Sequence, residues 1–199
     1  MNTSIRECQK CHLCKNQPPL VDENISKKYI DVFWVGLSAV KVEDIENSTP
    51  LSKETKTGYL VSTIEEVCKQ VAHYRTNLVK CLPLRNKKIR YPTAKEMDIC
   101  FGHLDNEILF FKPKVIFLLG RQVAEFILNR NGYKMQKLHS NFEYETYDIN
   151  GHFYVPIHHP SYILIYKRKL VDKYIENVSN NAINLTRNSS ANFVVDSSW

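Results

Sequence analysis

Two short apolar runs, YIDVFWVGL at 29–37 and KVIFLLG at 114–120, set the strongest limit on how this chain can fold. Neither run offers a polar face, so a strand made from it has to be covered on both sides. Parallel sheets are covered in that way, because their crossover helices lie above and below them. The stretches between the runs read as such helices. LVSTIEEVCKQVAHY, 60–74, puts Leu60, Ile64, Val67, Cys68 and Val71 on one helical stripe. TAKEMDICFGHLDNEILFF opens with Thr93, has Glu96 three residues on as a capping box does, and stops before Pro113. RQVAEFILNRNG predicts a helix closed by Gly132, and Ser161 to about Leu185 predicts another. TNLVKC at 76–81, FEYETYDI at 142–149 and HFYVPIHH at 152–159 read as further strands. The pattern therefore predicts an α/β fold with a mainly parallel sheet covered on both faces. With 199 residues, 43% hydrophobic and 24% charged, the chain fits a single domain over 1–199. An N-terminal cysteine group would be built into it, and the polar tail at 186–199 would be loosely held.

In a sheet of this kind ligands bind outside the carboxyl ends of the strands. Those ends carry Gly36 onward, Asn77 through Cys81, Gly120-Arg121, and His158-His159-Pro160-Ser161. The polar and glycine-containing stretches should therefore gather at one sheet edge.

No apolar run approaches the roughly 18 residues of a membrane span, and MNTSIRECQKC lacks the apolar core of a signal peptide. The expected compartment is a reducing cytosol. There, six cysteines point to metal or catalysis rather than to disulfides. Cys8, Cys11 and Cys14 form a tight group, and Cys81 and Cys100 flank a basic loop. Four thiolates from two distant places can close a site for Zn²⁺ or for a [4Fe–4S] cluster, and sulfur softness does not separate the two. Cys68, on the apolar stripe of a helix, reads as core packing.

Several motifs together carry a resemblance. CQKCHLCK, DVFWVGLSAVKVED, TNLVKCLPLRNKKIRYPTAKEMDIC, FFKPKVIFLLGRQVAEFIL and VPIHHPSYIL follow the order of motifs in the iron–sulfur branch of the uracil-DNA glycosylase superfamily, the family 4 type. From Cys8 to about Leu164 the chain resembles that family. The resemblance implies a three-layer α/β/α sandwich, a [4Fe–4S] cluster and excision of a base from DNA. By matched position it implies Cys8, Cys11, Cys81 and Cys100 as cluster ligands, with Cys14 a spare or alternative. Zinc is the runner-up metal. The expected setting is the cytosol of a prokaryote or of a cell hosting a virus, with DNA as partner and no obligate protein partner evident.

Breaking an N-glycosidic bond passes through an oxocarbenium-like sugar, and the base departs as an anion that needs a donor at its carbonyl oxygen. His159, which matches the family's HPS histidine, is the candidate donor. His158 should point to the opposite face and read as a packed imidazole, since side chains alternate along a strand. Asn77 has an amide that can read a pyrimidine edge with one donor and one acceptor. The first loop departs from the family: Leu37 stands where it has Glu, and Ser38-Ala39-Val40 where it has Ala-Pro-Gly. Leu37 cannot orient water, so Asp44 or Glu43, with Glu46 further along, are the candidate acids, read equally well as solvated loop carboxylates. Leu51 stands where the family has a stacking Phe. Gly36, Leu37, Ser38 and Leu51 are thus the expected base pocket, reshaped toward an altered or bulkier pyrimidine than uracil.

A net charge of +6, from 27 basic and 21 acidic residues, permits an anionic partner. Arg85, Lys87, Lys88 and Arg90 crowd one loop; Lys167 and Arg168 follow the HPSY turn. With Ser161 and Tyr162 they are the expected DNA contacts, and Tyr162, Ile163 and Leu164 the expected wedge behind an extruded base. Two other readings remain open at this point. One is a non-catalytic iron–sulfur DNA-binding or damage-sensing relative, the other a zinc-stabilised nucleic-acid module.

Overall fold

The computed structural model describes residues 3–22 and 29–191. After a short helix α1 (Thr3–Arg6) and a 3-10 turn (His12–Lys15), the elements are β1 (Val32–Ser38), α2 (Lys56–Val67), β2 (His73–Val79), β3 (Leu84–Arg85), β4 (Lys88–Ile89), α3 (Ala94–Phe111), β5 (Val115–Leu119), α4 (Arg121–Arg130), β6 (Tyr147–Ile149), β7 (His152–Ile157), α5 (Pro160–Tyr166) and α6 (Val171–Ala191). Five strands form one sheet in the order β2-β1-β5-β7-β6. The β1–β2, β1–β5 and β5–β7 pairs are parallel, and β6 runs antiparallel to β7; β3 and β4 form a separate antiparallel pair.

Helices lie on both sides, as the two apolar runs require. Alternation along β1 sends Phe33 and Val35 to one face, among Leu104 and Ile108 of α3 and Val123 and Ile127 of α4. Val32 and Trp34 go to the other face, among Leu60 and Ile64 of α2, Ile163 of α5 and Tyr174 and Val178 of α6. Trp34 stacks on Phe117 there, centroids 4.7 Å apart. Among the described residues no helix is long and apolar enough to cross a membrane.

Local chemistry sets the helix ends. Thr93 and Glu96 form the capping box of α3, and Lys112 closes that helix in a left-handed conformation before Pro113. Other boundaries differ from the sequence pattern. Residues 60–74 are not one helix: α2 ends at Val67, and His73–Val79 pair instead with Val32–Ser38, a case of sheet pairing overriding a helical stripe. Of residues 142–149 only Tyr147–Ile149 pair as a strand; Phe142 has a positive φ and plugs the core. The helix expected from Ser161 to Leu185 is broken at Lys167 by a 3-10 turn, Arg168–Leu170. The tail expected from residue 186 is helical through Ala191, with Thr186 buried, because α6 continues to cover the sheet; residues 192–199 lie outside the described region.

Candidate active site

The parallel strands deliver their carboxyl ends to one edge, where a cleft of about 670 Å³ opens. Gly36, Leu37 and Ser38 come from β1, Asn77 from β2, Leu51 from the β1–α2 loop and His159 from the end of β7, all on the cleft wall. Leu20, Val40, Ile89 and Tyr91 add an apolar rim; Thr55, Lys56, Thr57 and Arg90 complete the lining.

Asn77 is 2% exposed and pairs in register with Gly36 on the adjacent strand. A Cβ on Gly36 would fall 2.3 Å from Asn77 Oδ1 and 3.0 Å from Leu51 Cδ2, so the missing side chain is the space the amide occupies. Gly36→Ala is therefore expected to displace the amide and to slow any reaction at this cleft on the order of 10²-fold, comparable with Asn77→Ala, with little loss of stability. Single-turnover rates beside thermal melts check this.

His159 reaches the cleft from two strands away, across β5. Gly120 makes the crossing possible: its φ is +94°, and a Cβ there would lie 3.1 Å from His159 Cβ. The same histidine caps α5, with Pro160 at the first helical position. Its Nδ1 accepts the Ser161 N–H at 3.3 Å and lies 2.7 Å from Ser161 Oγ. A ring nitrogen that accepts from N–H carries no proton, which assigns the neutral ring's proton to Nε2. Burial pushes the imidazole pKa below its ordinary value, favouring that neutral form.

His158 lies on the other face, stacked on Tyr162, with Nδ1 3.0 Å from the Tyr144 hydroxyl. Its pKa is also lowered, by burial and then by Lys167. Ile163 is fully buried in the core, where it cannot act as a wedge.

Glu43 and Asp44 do not reach the cleft wall. The exposed Asp44 carboxylate accepts the Glu46 and Asn47 N–H groups and the Asn47 side-chain amide, which lowers its pKa and closes a self-contained turn. Among the described residues that line the cleft, none is a carboxylate. Arg85, Lys87 and Lys88 stand exposed on the β3–β4 hairpin, whose tip, Asn86-Lys87, has two positive φ values. Arg90 is different: its guanidinium is paired with Glu96, whose carboxylate it holds down at about 2, so this charge pins the hairpin to α3.

Five cysteines meet on one side of the cleft. Cys8, Cys11, Cys14, Cys81 and Cys100 line a single small pocket together with His103. The Lys80 N–H points at Cys100 Sγ (3.3 Å), and His103 Nε2 lies 3.1 Å from Cys8 Sγ. Cys14 donates its thiol to the Cys11 carbonyl at 3.1 Å. Burial, followed by the neighbouring Cys100, Cys11, Cys8 and Cys14, drives the Cys81 thiol far above its usual range. Thiolates are soft metal ligands, and five thiols around one pocket are a donor set that fits a metal. Among the described residues no group of three or more His, Cys, Asp or Glu side chains is set around one ion. Cys68 is buried away from this group, bonded to the Ile64 carbonyl.

Several supports were not expected from the sequence. Gln17 donates to the Val40 carbonyl and accepts the Val42 N–H, tying the cysteine segment to the first cleft loop. Arg75 grips Glu65 and Ser62 of α2 and donates to the Leu51 carbonyl at 2.9 Å, holding a residue whose φ is +52°. Beneath Asn77, Lys80 and Glu107 are a fully buried ion pair at 2.6 Å; Thr76 and Tyr74 donate to the same carboxylate. Alternation along β2 and the helical stripe of α3 were the available signals for that pair.

The profile of the family described as "Uracil DNA glycosylase superfamily" matches residues 34–182. A type-4 uracil-DNA glycosylase from Archaeoglobus fulgidus is 26% identical over 175 residues, covering 85% of this chain and 84% of that protein.

Proposed function

Because the chain belongs to the uracil-DNA glycosylase superfamily, we propose that it hydrolyses the N-glycosidic bond of a base swung out of DNA into this cleft. The observation that carries the reading is the convergence of His159 and Asn77 on one cleft wall, each seated against a glycine that leaves it room. In this reading the Asn77 amide reads the base edge. The Nε2–H of neutral His159 donates to the carbonyl oxygen on which negative charge grows as the base leaves, an oxyanion-type contact. The sugar left behind is oxocarbenium-like; water adds to it as the C1′–N bond breaks, and the proton that water sheds passes to the departing base anion. A cleft with no carboxylate among its described lining residues, and with Leu37 in its wall, therefore still suits the reaction. The apolar rim of Leu37, Val40, Leu51 and Ile89 supports a pyrimidine carrying an added substituent beside uracil itself.

The lack of a carboxylate among the described lining residues also favours a second reading, a DNA-binding relative that does not cleave. Duplex and single-stranded DNA containing uracil or a 5-substituted pyrimidine, incubated with the protein, separates the two when free base is identified by mass. Released base with abasic product supports hydrolysis. Retained DNA binding with no base released from any substrate would establish the non-catalytic reading.

For the cysteine pocket we propose a [4Fe–4S] cluster on Cys8, Cys11, Cys81 and Cys100. Four thiolates on one zinc stand about 3.8 Å apart, given Zn–S bonds of about 2.3 Å, whereas a cluster takes each thiolate on a separate iron and needs a wider setting. The match of CQKCHLCK and of Cys81 and Cys100 to the motifs of the family's iron–sulfur branch is what supports the cluster over zinc. When bound, the cluster would cross-link the N-terminal segment to β2 and α3. Cys81→Ser is expected to lose most bound iron, whereas Cys14→Ser keeps about four irons per chain. Elemental analysis of protein purified without oxygen checks both, and zinc in place of iron would overturn the assignment.

A further inference from the structure

We propose that the ring series His158–Tyr162–Tyr166 is a stacking platform for an unpaired DNA strand running away from the cleft. It rests on the reading above only in taking DNA as the partner. The series starts beside the cleft histidine, and the last two rings are one turn apart on α5. His158 and Tyr162 are nearly parallel, 15° between planes and 5.8 Å between centroids, and Tyr166 follows at 5.3 Å with its ring tilted by 40°. The inner rung is fixed: Tyr144 holds the His158 ring, and the Tyr174 hydroxyl donates to its carbonyl at 2.8 Å. The outer rungs are open, with Tyr162 39% and Tyr166 70% exposed. Exposed rings in a row, anchored at one end, offer a rigid π-face at little cost in side-chain entropy. Lys167, Arg168 and Lys169 follow immediately, and among the described residues none is in an ion pair. These cations are complementary to a phosphate backbone passing the rings.

The partner is an unpaired strand because duplex bases are already stacked on one another and offer no free face, whereas each unpaired base does. The platform therefore gives grip on single-stranded flanks and none on paired ones.

The test measures fluorescence anisotropy with a labelled single strand of about a dozen nucleotides, its duplex, and RNA of the same sequence, none containing a base the protein removes. Tyr166→Ala is expected to weaken single-strand binding about 5- to 100-fold, the loss of one base stack. Tyr166→Phe should stay within about 2-fold, since the ring supplies the stacking face. Duplex affinity should not change. Arg168→Gln is expected to flatten the salt dependence of single-strand binding by about one phosphate contact. Equal weakening on both DNA forms, no effect of Tyr166→Ala, or tighter binding to RNA would overturn the platform. Duplex binding with no single-strand grip would sink the platform alone, while failure to bind any DNA would sink the DNA reading with it.

Discussion

Replacing His159 with alanine is expected to slow base release about 10²- to 10³-fold, the usual loss when one donor to a developing oxyanion is removed. The fold should survive, because Pro160 still starts α5 and Ile163 still anchors it in the core. The pH profile adds a second check. Protonating His159 places a proton on Nδ1, which then cannot accept the Ser161 N–H, and the ring loses its anchor. Since burial holds the folded pKa below 6.5, wild-type activity should be level above about pH 6.5 and fall only as the pH drops through the lower, folded value. Stability follows the same sign. Buried His158 and His159 bind fewer protons folded than unfolded, so their contribution is complete above about 6.5 and is lost as the pH falls through their folded values. Single-turnover base release and thermal melts across the same buffers test both statements. A His159→Ala enzyme as fast as wild type would remove the proposed role.

Lys80→Met is expected to destabilise the protein by about 3–5 kcal/mol, because it leaves the Glu107 carboxylate buried without its counter-charge. Both side chains are 1% exposed, so water cannot replace the lost partner. For a chain of this size that corresponds to a fall of roughly 6–20 °C in Tm. Lys80→Met with Glu107→Leu should recover most of the loss, since an apolar pair of similar volume removes the uncompensated charge. Circular-dichroism melts of the single and double variants decide the matter. A double variant as unstable as the single one would show that the pair is held for its hydrogen bonds to Thr76 and Tyr74 instead.

Patterns that repeat along the chain were legible in the sequence. The two apolar runs gave β1 and β5, the capping box gave α3, and the strand-end rule brought Gly36, Asn77 and His159 to one edge. What escaped depends on partners far away in sequence. Residues 68–74 continue a helical stripe, and only pairing with β1 turns His73 and Tyr74 into strand. Glu96 and Arg90 lie six residues apart, yet whether Arg90 faces phosphate or carboxylate depends on where the β3–β4 hairpin folds. Glu43 and Asp44 sit where the family pattern keeps acids, but three local hydrogen bonds turn Asp44 into a loop brace. Gly120 looked like a strand terminator; its further use, as the low point over which an imidazole leans, needs the order of strands, which no local pattern contains.

The two glycines beneath the cleft divide it into parts of different tolerance. Positions 36 and 120 have no latitude, because any added carbon collides with the amide or the imidazole. Val40, Ile89 and Tyr91 stand exposed at the rim instead. A library randomised at those three sites and frozen at the two glycines would sample new target bases on an unchanged chemical floor, so selectivity in this scaffold can drift, or be redirected by hand, without rebuilding the reaction.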